Sequence, residues 1–115
     1  MSEITEQIWL GSYGDSANDT FLQERKITHI LCCAEELPLR AGFPYSSSIK
    51  GQKVTDVKEA AKLLDTWTSE GKRVMVYCSD GLGRSVSVMI EYLMVYKRWP
   101  YALAYDHLKL RRNLR

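Results

Sequence analysis

The chain has 115 residues, 45% of them hydrophobic, and 16 basic against 14 acidic residues give a net charge of +2. This describes one globular domain, residues 1–115, with room for a single core and no electrostatic case for nucleic acid as a partner. Three cysteines, two of them adjacent, do not form a disulfide framework, and two histidines argue against a Cys/His zinc site, so no metal and no cofactor are expected. No apolar run is long enough to span a bilayer, and Met1-Ser2-Glu3 lacks the charged and apolar regions of a signal peptide. A cytoplasmic monomer is therefore expected.

In chain order, Gln7 to Ser12 reads as a first strand, followed by a turn through Tyr13-Gly14-Asp15. Ser16 or Asn18 then caps a helix reaching about Lys26, with Ala17, Phe21 and Leu22 on its apolar side. Ile27 to Ala34 is nearly apolar throughout, as a central parallel strand would be. His29 lies at the start of that strand, away from the carboxyl ends where α/β sites sit, and is expected to be a packing residue. From Glu35 to Val54 periodicity disappears among Pro38, Gly42, Pro44, Ser46-Ser47-Ser48 and Gly51. A loop of that length is usually functional or hides a short strand, and Tyr45 to Ile49 is the candidate. Thr55 is the expected N-cap of a helix from Asp56 to about Glu70, with Val57, Ala60, Ala61, Leu64 and Trp67 at helical spacing and Gly71 as its stop. A strand from Arg73 to Tyr77 follows. Val86 to Tyr96 contains only Ser87 and Glu91 as non-apolar residues, which predicts a central helix buried on most of its circumference. Pro100 opens a last helix with Tyr101, Ala104, Tyr105 and Leu108 on one face, and Arg111-Arg112 form a solvated basic end. Strands alternating with helices make the expected class α/β, a central parallel-rich sheet flanked by helices.

Residues 77–85, Tyr-Cys-Ser-Asp-Gly-Leu-Gly-Arg-Ser, join the apolar strand to this central helix. A glycine-containing loop closing onto a helix N-terminus turns backbone amides and the positive end of the helix dipole toward one centre, which suits a tetrahedral oxyanion. Arg84 adds a planar fork for two phosphate oxygens, and Cys78 in the same field is expected to be held as thiolate.

Cys78, Gly81, Arg84 and Ser85 resemble the Cys-x5-Arg-Ser/Thr signature of the cysteine-dependent protein tyrosine phosphatases. Ile8-Trp9-Leu10-Gly11-Ser12, the Ala17 helix, Ile27 to Leu31 and Glu91 to Met94 are similar to stretches of the dual-specificity phosphatases, so the resemblance covers nearly the whole chain. It implies a protein tyrosine phosphatase-like fold and metal-independent hydrolysis of phosphoproteins through a cysteinyl-phosphate. In that reaction Cys78 is the nucleophile and Ser85 stabilises it as it leaves. Arg84 and the backbone of Ser79, Asp80, Gly81, Leu82 and Gly83 bind the phosphoryl oxygens. Most relatives continue into a further C-terminal helix, so a shortened or minimal member is expected.

The sequence departs from the family pattern in three places. Tyr77 stands where most relatives have a histidine that orders the loop and helps keep the thiolate, so slower chemistry is expected. Asp80 puts a carboxylate inside the loop. It is either an exposed turn residue or a proton donor, the latter as in the myotubularin lipid phosphatases, whose loop is similar. The family's general acid is an aspartate on the loop before the helix, usually further upstream than any aspartate here; between Asp19 and Cys78 only Asp56 and Asp65 occur, and with Asp65 inside the helix the candidate is Asp56. A helix descending roughly 20 Å and a strand climbing about 17 Å return that residue to the active edge. Its alternative role is to complement the helix N-terminus. Glu35 and Glu36, just past a strand end, are further candidates. Some relatives pair the catalytic cysteine with a second one; of Cys32 and Cys33, which point to opposite sides of a strand, at most one approaches Cys78. Two other functions stay open. A phosphoinositide phosphatase is favoured by the Cys-Ser-Asp-Gly run and opposed by a loop without lysines. A catalytically weak phosphoprotein-binding protein is favoured by Tyr77 and the missing upstream acid and opposed by the intact Cys78, Arg84 and Ser85.

Overall fold

The computed structural model describes residues 2–38, 50–79 and 83–112. Its strands are β1 (Ser2–Thr5), β2 (Ile8–Ser12), β3 (His29–Cys32), β4 (Lys50–Lys53) and β5 (Val74–Cys78). Its helices are α1 (Tyr13–Ser16), α2 (Asp19–Glu24), α3 (Val57–Ser69), α4 (Arg84–Val95) and α5 (Tyr101–Arg112). The five strands form one sheet in the order β1-β2-β5-β3-β4, in which only β1 runs antiparallel to its neighbour. The last strand in sequence is thus inserted between β2 and β3, and all five of its residues are buried. Such an insertion opens a crevice past the carboxyl ends of the strands, where open α/β sheets place their sites.

Helix α4 packs on β5, with α3 and α5 as its neighbours, and α5 reaches β1 through His107, whose Nε2 lies 2.8 Å from the Ile4 carbonyl oxygen. Ser85, Val86, Val88, Met89, Tyr92 and Leu93 are buried, whereas Met94 and Val95 at its far end are exposed. The burial expected around this helix therefore holds for its first turns, which are the ones that carry the site. Helix α3 ends where Gly71 takes φ +80°, with the Lys72 amide donating to the Trp67 carbonyl at 2.9 Å and the Gly71 amide to Thr68 at 3.0 Å. This is the left-handed close that glycine permits, and it turns the chain straight into β5.

Several sequence expectations are corrected. Strand β1 was not expected, because Ser-Glu-Ile-Thr is polar apart from Ile4, its one buried residue. Strand β4 occupies a stretch that reads as loop, since Lys-Gly-Gln-Lys has no apolar residue. It is an edge strand, and its lysines keep that edge soluble. The strand proposed for residues 45–49 lies outside the described residues. The turn at Tyr13 to Asp15 is helical, because Ser12 and Asp15 form a capping box: the Asp15 amide donates to Ser12 Oγ at 3.2 Å and the Ser12 amide to Asp15 Oδ2 at 2.9 Å. Ala17 follows that helix, is exposed and does not join the apolar side. Asp56, rather than Thr55, is the N-cap of α3. In α5 Ala104 and Leu108 are buried, while Tyr101 is 55% exposed.

Candidate active site

Cys78 ends β5 and Arg84 begins α4, so the strand-to-helix connection expected from sequence is present. Cys78 Sγ lies 3.0 Å from Ser85 Oγ, and both residues are buried. Ser85 is held there because it occupies the first turn of a helix whose next turns are locked in the core. Gly83, the N-cap of α4, has no side chain with which to cap the helix, and the first-turn amides point toward the end of the loop, the arrangement that suits an oxyanion. Ser79 and Gly83 flank the loop and are exposed. Asp80, Gly81 and Leu82 lie outside the described residues.

The floor of the site is braced from β2. Ser12 is in register with Cys78, and the Tyr13 amide donates to the Ser79 carbonyl at 3.4 Å, tying α1 to the first residue of the loop. The bare Gly11 lets Met75 and the Asp15 cap lie close on β2: a Cβ there would stand 2.7 Å from Met75 Cε, the flexible end of that side chain, and 3.0 Å from Asp15 Cβ and Oδ2. Burial pushes the Asp15 carboxyl up, but the hydrogen bond from the Ser12 amide and a neighbouring positive charge bring it net below its usual value, so it stays a charged cap. The Ser-x-x-Asp spacing was the sequence signal for this brace. Tyr77 is fully buried, its ring centroid 6.3 Å from that of Tyr13. Because side chains alternate along a strand, it faces away from Cys78, toward the opposite face of the sheet.

Cys33 follows β3 at the level of Cys78, its amide donating to the Tyr77 carbonyl at 2.8 Å. Burial, with the nearby Cys32 and Cys78, pushes its thiol up to about 12, so Cys33 is a neutral neighbour of Cys78. Cys32 Sγ instead lies 3.5 Å from the Ala34 carbonyl oxygen. All three cysteines are free thiols.

The partner of Arg84 is one that its sequence distance hides. Glu36, 48 residues upstream, accepts from Arg84 Nη1 at 2.7 Å through Oε2 and from Nη2 through Oε1, a bidentate pair. Arg84 Nη2 also lies 3.5 Å from Ser79 Oγ. The hydrogen bond from Arg84 holds the Glu36 carboxyl well below its ordinary range, at about 2. The only sequence signal for this contact was position, since Glu36 follows the carboxyl end of the strand beside β5.

Asp56 lies at the same edge of the sheet. The Val54 amide bonds the Cys32 carbonyl at 3.0 Å, which sets the residue two positions later past the end of β4. Two strand spacings separate β4 from β5, so Asp56 stands about 10 Å to the side of the strand that ends in Cys78. Its Oδ1 accepts from the Glu59 amide at 2.9 Å. Asp65 is inside α3. Among the described residues there is no cluster of three or more His, Cys, Asp or Glu able to hold a metal ion, and no helix is long and apolar enough to cross a membrane.

A cysteine beneath a helix N-terminus, with an arginine at that helix's first position, is an arrangement suited to an oxyanion, and it stands at the carboxyl edge of a largely parallel sheet. The sequence profile of the dual specificity phosphatase catalytic domain matches residues 8–114, and the chain belongs to that family. It is 32% identical over 122 aligned positions to the protein phosphatase Slingshot of Drosophila melanogaster, covering 97% of this chain and 11% of Slingshot. It is 31% identical over 114 positions to the protein-tyrosine-phosphatase IBR5 of Arabidopsis thaliana, covering 95% of this chain and 43% of IBR5. The chain thus spans less than half the length of these curated relatives. Its fold is similar to the crystal structure of human DUSP28, with a TM-score of 0.84 at 18% identity over 98% of this chain and 81% of that one.

Proposed function

We infer that the protein hydrolyses phosphomonoesters of phosphoproteins, phosphotyrosine above all, through a cysteinyl-phosphate intermediate. The observation that carries this reading is the 3.0 Å contact of Cys78 Sγ with Ser85 Oγ beneath the N-terminus of α4, with Arg84 as its first residue. In the first step Cys78 attacks phosphorus, an S–P bond forms, and the ester P–O bond breaks as the leaving oxygen takes a proton. In the second step water attacks phosphorus, the S–P bond breaks and inorganic phosphate leaves. Ser85 donates to the departing sulfur, while Arg84 and the helix amides hold the equatorial oxygens in both steps. Asp56 is the proposed proton donor, its Oδ1 also accepting from the Glu59 amide in the helix cap. Asp80 is the alternative donor.

Carboxylates favour a protein substrate over a polyphosphorylated inositol lipid. Glu35, Glu36 and Asp56 follow the carboxyl ends of β3 and β4, beside the site, and oppose a second phosphate. The buried Cys78–Ser85 pair favours turnover over mere phosphoprotein binding. The test is hydrolysis of a chromogenic aryl phosphate in the presence of chelator. Wild-type protein is expected to turn it over and Cys78→Ser to lose turnover while still binding a phosphate analogue. Full activity in Cys78→Ser, or loss of activity with chelator, overturns the reading.

A further inference from the structure

Arg84 is the side-chain cation that grips phosphate in the function proposed above, yet it already holds an anion. Glu36 spans both terminal nitrogens of its guanidinium, and a carboxylate on that fork reproduces two oxygens of a phosphate. Such a pair is either a permanent brace for the arginine or an exchangeable occupant. The exposures decide between them: the side chains are 46% and 56% exposed, so solvent screens the pair and it contributes little net stability. Arg73 shows what a committed arginine looks like in this protein, since its Nε donates to the Arg25 carbonyl at 2.7 Å and its Nη1 to Glu6 at 3.3 Å. Backbone carbonyls in a packed scaffold cannot swing away, whereas a glutamate on an exposed turn can.

We propose that Glu36 is a resident stand-in for the substrate's phosphate. Its carboxylate holds the Arg84 guanidinium when no oxyanion is bound and is displaced by the incoming phosphoryl group, so that Glu36 sets the affinity threshold for substrate. This rests on the phosphatase reading and adds a competitor to it. A phosphate dianion wins the exchange because it brings more charge than a carboxylate and also accepts from the N-terminal amides of α4. The hydrogen bond from Arg84 holds the paired Glu36 carboxyl well below its ordinary range, and near neutral pH it is ionised whether paired or displaced, so there the exchange follows the charge of the substrate.

The experiment is calorimetric titration with inorganic tungstate, together with KM for an aryl phosphate, on wild type, Glu36→Gln and Glu35→Gln. Removing the competing charge should tighten tungstate binding about fivefold and lower KM by the same factor. Glu35→Gln removes an equal charge one residue away, where among the described residues the backbone carbonyl is what is engaged, by Lys53 at 3.3 Å, and should change tungstate affinity less than twofold. Weaker or unchanged tungstate binding in a folded Glu36→Gln protein overturns the proposal, and weaker binding would make Glu36 a brace. Equal tightening in Glu35→Gln also overturns it, reducing the effect to general charge. If wild-type protein neither binds tungstate nor hydrolyses the aryl phosphate, the phosphatase reading itself has failed and this proposal falls with it.

Discussion

The two ends of the parallel sheet each present an arginine, and the two are used in opposite ways. At the amino end, Arg73 donates to backbone carbonyls of Arg25 and Glu6 and lies with its guanidinium carbon 4.8 Å from the Trp9 ring centroid. Around it Gln7 Nε2 donates to the Thr68 and Lys72 carbonyls, both at 3.0 Å, and Thr28 Oγ1 exchanges hydrogen bonds with the Arg73 backbone. At the carboxyl end, Arg84 meets an exposed carboxylate at the first turn of α4. The first arginine closes the scaffold and the second remains exchangeable. A guanidinium bonded to immobile carbonyls is structure, and one bonded to a displaceable side chain is available for function.

The sharpest way to break this contrast is to truncate both. Arg84→Ala should lower kcat/KM for an aryl phosphate by about 10²–10³ while leaving the melting temperature nearly unchanged, because what it loses is phosphoryl-oxygen stabilisation. Arg73→Ala should do the reverse, costing about 2 kcal/mol in denaturant unfolding with kcat/KM close to wild type in the folded fraction. A large stability loss in Arg84→Ala would make it a second scaffold arginine.

A smaller effect is expected at Asp56, where two roles share one residue. Asn caps a helix about as well as Asp, so Asp56→Asn keeps α3 and removes only the proton. It should slow phosphopeptide hydrolysis by about 10²-fold and hydrolysis of an activated aryl phosphate far less, since a general acid matters most for a poor leaving group. Equal slowing on both substrates, or the leaving-group dependence appearing in Asp80→Asn instead, would remove Asp56 from the chemistry and leave it the cap alone.

The smallest effect belongs to the amino end. His29, 8% exposed, lies with its ring centroid 4.7 Å from that of Trp67, and burial, with Lys72 and Lys50, holds its pKa below the usual 6.5. The folded protein therefore resists protonation more than the unfolded chain does. Stability is full above pH 6.5 and falls as the pH drops below it. Unfolding measured between about pH 7 and pH 5 should show this slope, and His29→Gln should flatten it, with no change in turnover at pH 7.

The elements that carry the site were legible because their signals are local. The apolar run into Cys78, the loop, and the helix beginning with Arg84-Ser85 follow one another within a few residues. Gly71 and the Asn18 cap, whose Oδ1 accepts from Phe21 at 3.1 Å, are likewise written in neighbouring positions. Strands β1 and β4 were not legible, because an edge strand owes its conformation to a partner and β4 has no apolar residue to betray it. The Glu36–Arg84 pair was invisible for the same reason on a larger scale, since the β5 insertion brings together chain segments 48 residues apart. Tyr77 was legible as a departure from the family pattern but not in its placement, which strand alternation turns toward Tyr13.

The central claim is that Cys78 carries the phosphoryl group, and its most direct test is rapid acid quench of wild-type protein mixed with excess aryl phosphate, followed by peptide mass spectrometry. The account predicts a phosphoryl group on Cys78 within the first turnover. Ser85→Ala should accumulate more of it, because the hydroxyl 3.0 Å from the sulfur assists its departure. Turnover with no phosphoryl group on Cys78 in either protein, or the group on another residue, would contradict the account.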